Sequence, residues 1–231
     1  MSVIEVKSLT KSYGALKVVK GLSLTINSGE IFAILGPNGA GKTTTVEILE
    51  GFRTADSGEI SVLDTDPAIK GAAALAWRNR IGIVLQSTQD TAELTVREAI
   101  THFASYYSNP REVEEVIALV GLQEKANDRA RTLSGGQRRR LDVGLGIVGR
   151  PELLFLDEPT TGFDPEARRA FWVLIKKLRD EGTTILLTTH YLDEAEALAD
   201  RVAVMNHGEI LEISTPSQLG GRADSQATVS W

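Results

Sequence analysis

The sequence predicts an α/β domain: a mostly parallel sheet core, an antiparallel β subdomain at the N-terminus and an α-helical subdomain inserted into the core. Three observations carry this. Short continuous apolar runs alternate with helical segments, the pattern of buried parallel strands joined by crossover helices. Within the first 62 residues, three segments instead alternate apolar with polar side chains, as half-buried antiparallel strands do. From about residue 87 to 150 the strand signals give way to helical ones. The expected division is a single domain over 1–231, with its core at 1–86 and 151–231 and the helical subdomain at about 87–150.

In chain order, Val3 to Leu9, Leu22 to Ile26 and Gly58 to Val62 are the half-buried strands. Ile31-Phe32-Ala33-Ile34-Leu35 is a buried strand, and Thr43 to Leu49 reads as the start of a helix. Ile81 to Leu85 is a second buried strand, ending at Gln86. Thr95-Val96-Arg97-Glu98 is a capping box opening an amphipathic helix toward Tyr107. Asn109-Pro110 offers an N-cap and a first-turn proline for the next helix. Leu133-Ser134-Gly135-Gly136-Gln137 opens a third. Leu153 to Leu156 is a buried strand running into Asp157-Glu158-Pro159. Asp164-Pro165 caps a long helix to about Arg179. Thr184 to Thr188 is a buried strand, followed by a helix over about 192–199. Two short strands, Arg201 to Met205 and Glu209 to Ile213, meet at Asn206-His207-Gly208.

The bulk composition narrows the function classes. The 231 residues are 42% hydrophobic and 24% charged, as in an ordinary globular protein. There is no cysteine, so neither a disulfide framework nor a Cys-based zinc site is possible. No apolar run approaches the roughly 20 residues that cross a bilayer, and the N-terminus lacks signal-peptide features. A cytoplasmic location is expected, and any service to a membrane is by docking to another subunit at its inner face. The net charge of −6 argues against nucleic acid as the main partner. The one basic cluster, Arg138-Arg139-Arg140, reads as a solvated helix face.

Gly36-Pro37-Asn38-Gly39-Ala40-Gly41-Lys42-Thr43 fits G-x-x-x-x-G-K-S/T, with a buried strand before it and a helix after it. Glycines let the backbone N–H groups turn inward, and a helix N-terminus adds partial positive charge. Lys42 can reach terminal phosphates and the Thr43 hydroxyl can hold Mg²⁺. The core is therefore expected to be a P-loop NTPase core that binds a nucleoside triphosphate. At the end of the strand Leu153 to Leu156, Asp157 suits the metal and Glu158 suits a general base for an attacking water. Ser134 and Gln137 form a capping box on a glycine-rich helix start, a second anion site far downstream of the first. With one nucleotide per chain, the economical arrangement is that this second site closes over the γ-phosphate held by another copy.

The phosphate loop, Gln86, LSGGQ at Leu133 to Gln137, LLFLDEP at Leu153 to Pro159 and His190 after a buried strand occur in one order and spacing. Together they resemble the ATP-binding cassette of ABC transporters over about residues 3–220. The resemblance implies ATP and Mg²⁺ as cofactors, a head-to-tail homodimer around two ATP, and an integral membrane permease as partner. Tyr13 matches the aromatic that stacks on adenine. Lys42, Thr43 and Thr44 match phosphate and metal ligands, with Gly36, Pro37, Asn38, Gly39, Ala40 and Gly41 completing the loop. Gln86 matches the glutamine that senses metal and water. Ser134, Gly135, Gly136 and Gln137 match the signature turn, of which Ser134 and Gly136 reach the γ-phosphate of the other copy. Asp157 matches the metal-associated aspartate and Glu158 the catalytic base. Asp164 matches the loop that links the two sites, and His190 the γ-phosphate histidine. His102 and His207 are read as carrying no chemistry.

Thr161-Gly162-Phe163-Asp164-Pro165-Glu166-Ala167-Arg168 and Glu50-Gly51-Phe52-Arg53 resemble the drug-resistance type of bacterial exporter ATPase, which pairs with a separate permease. The alternative is a non-transport cassette ATPase acting on ribosomes or chromosomes. Ribosomal members carry two cassettes and chromosomal ones a long coiled coil, and this sequence has neither. Thr228-Val229-Ser230-Trp231 reads as the start of a strand, an expectation that the C-terminus is shortened relative to that subfamily.

Overall fold

The computed structural model describes residues 1–84 and 92–221. Two sheets organise it. The strands β1 (Ser2–Tyr13), β2 (Leu16–Asn27) and β4 (Ser57–Val62) form an antiparallel sheet in the order β2-β1-β4. The larger sheet contains β3 (Ile31–Leu35), β5 (Ile81–Val84), β6 (Leu153–Asp157), β7 (Thr184–Thr189), β8 (Arg201–Asn206) and β9 (Glu209–Ser214). Its order is β5-β6-β7-β3-β8-β9, parallel throughout except for the β8–β9 hairpin. The predicted α/β class and its separate antiparallel unit are what the chain adopts.

The helices are α1 (Lys42–Leu49), α2 (Ala72–Arg78), α3 (Val96–Ala104), α4 (Val113–Leu119), α5 (Gly135–Ile147), α6 (Pro165–Asp180) and α7 (Leu192–Leu198). Because successive strand side chains point to opposite faces, each buried strand feeds two cores. Ile31 and Ala33 of β3, with Leu154 and Leu156 of β6, pack among residues of α3 to α7. Phe32 and Ile34, with Leu153 and Phe155, pack against β1, β2, α1 and Trp77 of α2. This two-sided burial explains why these strands read as continuous apolar runs.

Local signals set most boundaries. Thr95 and Glu98 make both bonds of the expected capping box on α3. Asp164 accepts hydrogen bonds from the N–H groups of Glu166 and Ala167, and Pro165 opens α6. The turn His207-Gly208, both at positive φ, joins β8 to β9. Three expectations need correction. Asn109-Pro110 does not open α4, which starts at Val113 after Glu112. The Arg111 N–H donates to the Val148 carbonyl, and its guanidinium pairs with Glu115 and Glu181. Those contacts hold the segment extended against the end of α5 until Val113. The first strand does not stop at Leu9 but runs on through Tyr13. Nor is Arg138 to Arg140 a solvated face: Arg139 is 7% exposed, Arg138 pairs with Asp142, and Arg140 donates to the Gly121 carbonyl. The helix α2 carried no clear periodic signal and was not foreseen.

Candidate functional site

The parallel register brings the chemistry to one edge of the large sheet. Leu35 at the end of β3 lies beside Thr189 of β7, and Thr188 lies beside Asp157 at the end of β6. The residues that follow these strands therefore meet in the crevice outside their C-terminal ends, where open α/β sheets bind ligands. The phosphate loop leaves β3, Glu158 leaves β6 and His190 leaves β7.

The loop between β3 and α1 is held by backbone on both sides. The Gly36 N–H donates to the Thr189 carbonyl, and the Ala40 carbonyl accepts from the Gly208 N–H of the β8–β9 turn. Gly41 sits at φ 102, and a Cβ there would lie 2.7 Å from the Val18 carbonyl oxygen. A side chain at this position therefore meets both backbone strain and backbone atoms. Gly41→Ala is expected to lose about 1–3 kcal/mol of stability from strain alone, with nucleotide affinity falling as the loop shifts. Thermal unfolding and calorimetric titration with ATP check this, and an alanine variant with wild-type values on both would contradict it.

Lys42 is 4% exposed. Its Nζ donates to the carbonyls of Gly36 (2.9 Å) and Pro37 (3.2 Å) and lies 3.2 Å from Glu158 Oε1. The Thr43 hydroxyl donates to Asp157 Oδ2 at 3.1 Å. Thr188, inward at the end of β7, gives its hydroxyl to Asp157 and accepts from the Glu158 N–H at 3.0 Å. Glu158 itself is held at φ 43, a costly conformation for a side-chain-bearing residue and one that clusters at functional sites. His190 Nδ1 lies 3.3 Å from Glu158 Oε2 and is buried without a hydrogen-bond partner.

A cavity of about 450 Å³ opens over the loop, lined by Leu16, Val18, Asn38, Gly39, Gly41, Lys42, Thr43, Thr44 and Glu158. Tyr13 does not line it. The residue is 42% exposed, with Lys11 and Arg53 each 5.6 Å from its ring centroid. Leu16 and Val18 of β2 are the apolar lining that sequence reading missed. The signature turn is also absent from that lining. Ser134 caps α5, accepting from the Gln137 N–H (3.3 Å) while Gln137 Oε1 accepts from the Ser134 N–H (2.9 Å). Gly135 and Gly136 form its first turn. Lys42, Thr43, Asp157, Glu158 and His190 are thus brought together, and Ser134 to Gln137 form a separate helix start. Gln86 lies outside the described residues.

Among the described residues no group of three or more His, Cys, Asp or Glu side chains gathers to hold a metal alone. Thr43 and Asp157 instead offer two hard oxygen donors facing one another. That suits Mg²⁺, which binds through one or two protein oxygens together with substrate phosphates and water.

Sequence reading also missed two buried acids. Glu194 of α7 is 1% exposed, and burial raises its carboxyl above the usual carboxylate range. Glu50, at the end of α1, is 6% exposed. Burial, then the Asp157 and Glu47 carboxylates, pushes it from 4.5 to about 8. The folded state keeps a proton there that the unfolded chain gives up above about 4.5. Stability then falls as pH rises from about 4.5 toward 8, by up to about 1.4 kcal/mol per unit. Glu50→Gln is expected to flatten this slope, so its melting temperature gains on wild type between pH 5 and 8. An equal gap at both ends would contradict the assignment.

The residues 19–161 match the family described as "ABC transporter". The chain belongs to that family. It is an ATPase cassette, and it is 37% identical over 99% of its length to the linearmycin resistance ATP-binding protein LnrL of Bacillus subtilis. It is 44% identical over 94% of its length to Nod factor export ATP-binding protein I of Rhizobium meliloti. The cassette spans 75% of the former and 65% of the latter. Among solved structures, that of cbiO1 from Clostridium perfringens, part of the ABC transporter complex cbiONQ, superposes with a TM-score of 0.88. It shares 27% identity and covers 96% of this cassette and 92% of its own chain. Among the described residues, no helix is long and apolar enough to cross a membrane.

Proposed function

We propose that this cassette hydrolyses ATP as a head-to-tail homodimer around two nucleotides, and so drives a separate membrane permease in the export direction from the cytoplasmic face. The observation that carries the reading is the division of polar groups. Lys42, Thr43, Asp157, Glu158 and His190 surround the phosphate loop, whereas the Ser134 turn is a second helix start whose glycines leave it open to an anion. The relatives named for resistance and export favour the direction, for a drug, lipid or other small hydrophobic molecule.

In each half-site the phosphate-loop N–H groups and Lys42 hold the β- and γ-phosphates, which replace the Lys42–Glu158 contact. Thr43, Asp157 and Gln86 would hold Mg²⁺, which when bound neutralises charge on the transferring phosphoryl group. Freed from Lys42, Glu158 accepts a proton from the water that attacks the γ-phosphorus, and the bond to the β-γ bridging oxygen breaks. His190, whose Nδ1 lies 3.3 Å from Glu158 Oε2, meets the γ-phosphate on the side facing Glu158. Tyr13 would reach adenine by turning from the cations flanking it. Ser134 and Gly136 of the other copy close the site, and Asp164 begins the helix after the loop joining the two sites. Losing the γ-phosphate contact then favours the open dimer.

Composite sites make the rate depend on protein concentration. Phosphate release per cassette is expected to rise with concentration and then saturate, and to vanish without Mg²⁺. Specific activity that stayed constant on dilution into the monomer range would overturn the shared-site reading.

A further inference from the structure

Arg139 lies in α5, one turn after the Ser134 cap, yet it points inward and is 7% exposed. Its Nη2 donates to the Asp157 carbonyl at 3.0 Å and its Nε to the Pro159 carbonyl at 3.2 Å. These two carbonyls flank Glu158. The residue between them is the one held at φ 43, with its N–H bonded to Thr188 on the other side. Backbone in that conformation persists only where its surroundings over-determine it, and Arg139 supplies the support from the helical side. Burial lowers its pKa, while the carboxylates of Asp142, Asp157 and Glu194 act in the opposite sense. Guanidinium remains the charged form.

The same helix begins with Ser134, Gly135 and Gly136. A cavity of about 460 Å³ joins the two ends of this connection, lined by Gly135, Arg138, Arg139, Asp142, Glu158 and Gly162 among others. The rigid, planar guanidinium is a short strut between the helix start and the base.

We propose that Arg139 is a positioning residue: it sets the backbone on both sides of Glu158, so that the placement of the α5 start is passed to the base within the same chain. The proposal rests on the composite-site reading only in taking Ser134 to Gly136 as the part offered to a partner copy. The hold on Glu158 stands apart from it. One consequence is direct. An α5 start drawn onto a partner's phosphate would carry the base with it, so closure and water activation are linked.

The test is Arg139→Lys, Arg139→Gln and Arg139→Met, measured for folding, ATP affinity and steady-state turnover with saturating Mg²⁺ and ATP. The expected result for folded Arg139→Met is unchanged ATP affinity and KM, with kcat lower by about 10- to 100-fold, the scale of a misplaced catalytic group. Lys can donate to one carbonyl but cannot span both, so Arg139→Lys recovers part of the loss. If Met fails to fold, Lys and Gln carry the comparison, with Gln expected to be the slower. Wild-type kcat in any folded variant lacking the fork, or a loss carried by KM and affinity instead, overturns the proposal. An ATP-loaded Glu158→Gln protein that stays monomeric would overturn the composite site, and the kcat comparison would still be read on its own.

Discussion

Glu158→Gln is expected to bind ATP at least as tightly as wild type, to persist as an ATP-bound dimer, and to turn over about 10²–10⁴-fold more slowly, the usual worth of a general base. The amide keeps the shape of the side chain but cannot accept a proton from water. Glu158 Oε1 is 3.2 Å from Lys42 Nζ, so that carboxylate competes with ATP for the cation. Gln removes the competition, which is why affinity should not fall. The Thr188 bond to the Glu158 N–H and the Arg139 bonds to its neighbours involve backbone atoms and survive the change. Single-turnover hydrolysis and sedimentation with ATP measure both halves. Wild-type single-turnover rates would remove Glu158 from the role of base.

Lys42→Ala is expected to take ATP binding below detection in calorimetry. At 4% exposure Lys42 lies under the loop, and two carbonyls and one carboxylate fix its ammonium. Two charge-assisted bonds to phosphate at about 1.5–3 kcal/mol each amount to a loss of roughly 10²–10⁴-fold. Removing the cation also deprives the Glu158 carboxylate of its partner at 3.2 Å, which opposes the entry of a polyanion. Affinity equal to wild type would contradict the phosphate-loop assignment.

What could be read in advance followed a physical pattern. The strands β3, β6 and β7 are buried on both faces, so their apolar runs were visible, and parallel register alone then brings the loop, Asp157 and Glu158, and His190 together. The caps at Thr95, Ser134 and Asp164 were legible because a side chain bonded three residues away is a local event. Contacts between distant elements were not. Thr188 bridging Asp157 and Glu158, Arg139 crossing to the Pro159 carbonyl, and Leu16 and Val18 lining the cavity leave no mark in local spacing. Asn109-Pro110 misled for the same reason. It is a sound helix-start signal overruled by the Arg111 bonds to Val148, Glu115 and Glu181.

The β8–β9 turn has a bearing on how variants are scored. Its Gly208 N–H braces the Ala40 carbonyl, its own carbonyl takes the Lys20 N–H, and a Cβ at Gly208 would strike the Val18 carbonyl oxygen at 2.5 Å. A lesion there, remote in sequence from every recognisable motif, would surface in a genetic screen as a failure to retain nucleotide. It would be misfiled as a distant, transmitted defect when the damaged part is the back wall of the ATP cradle.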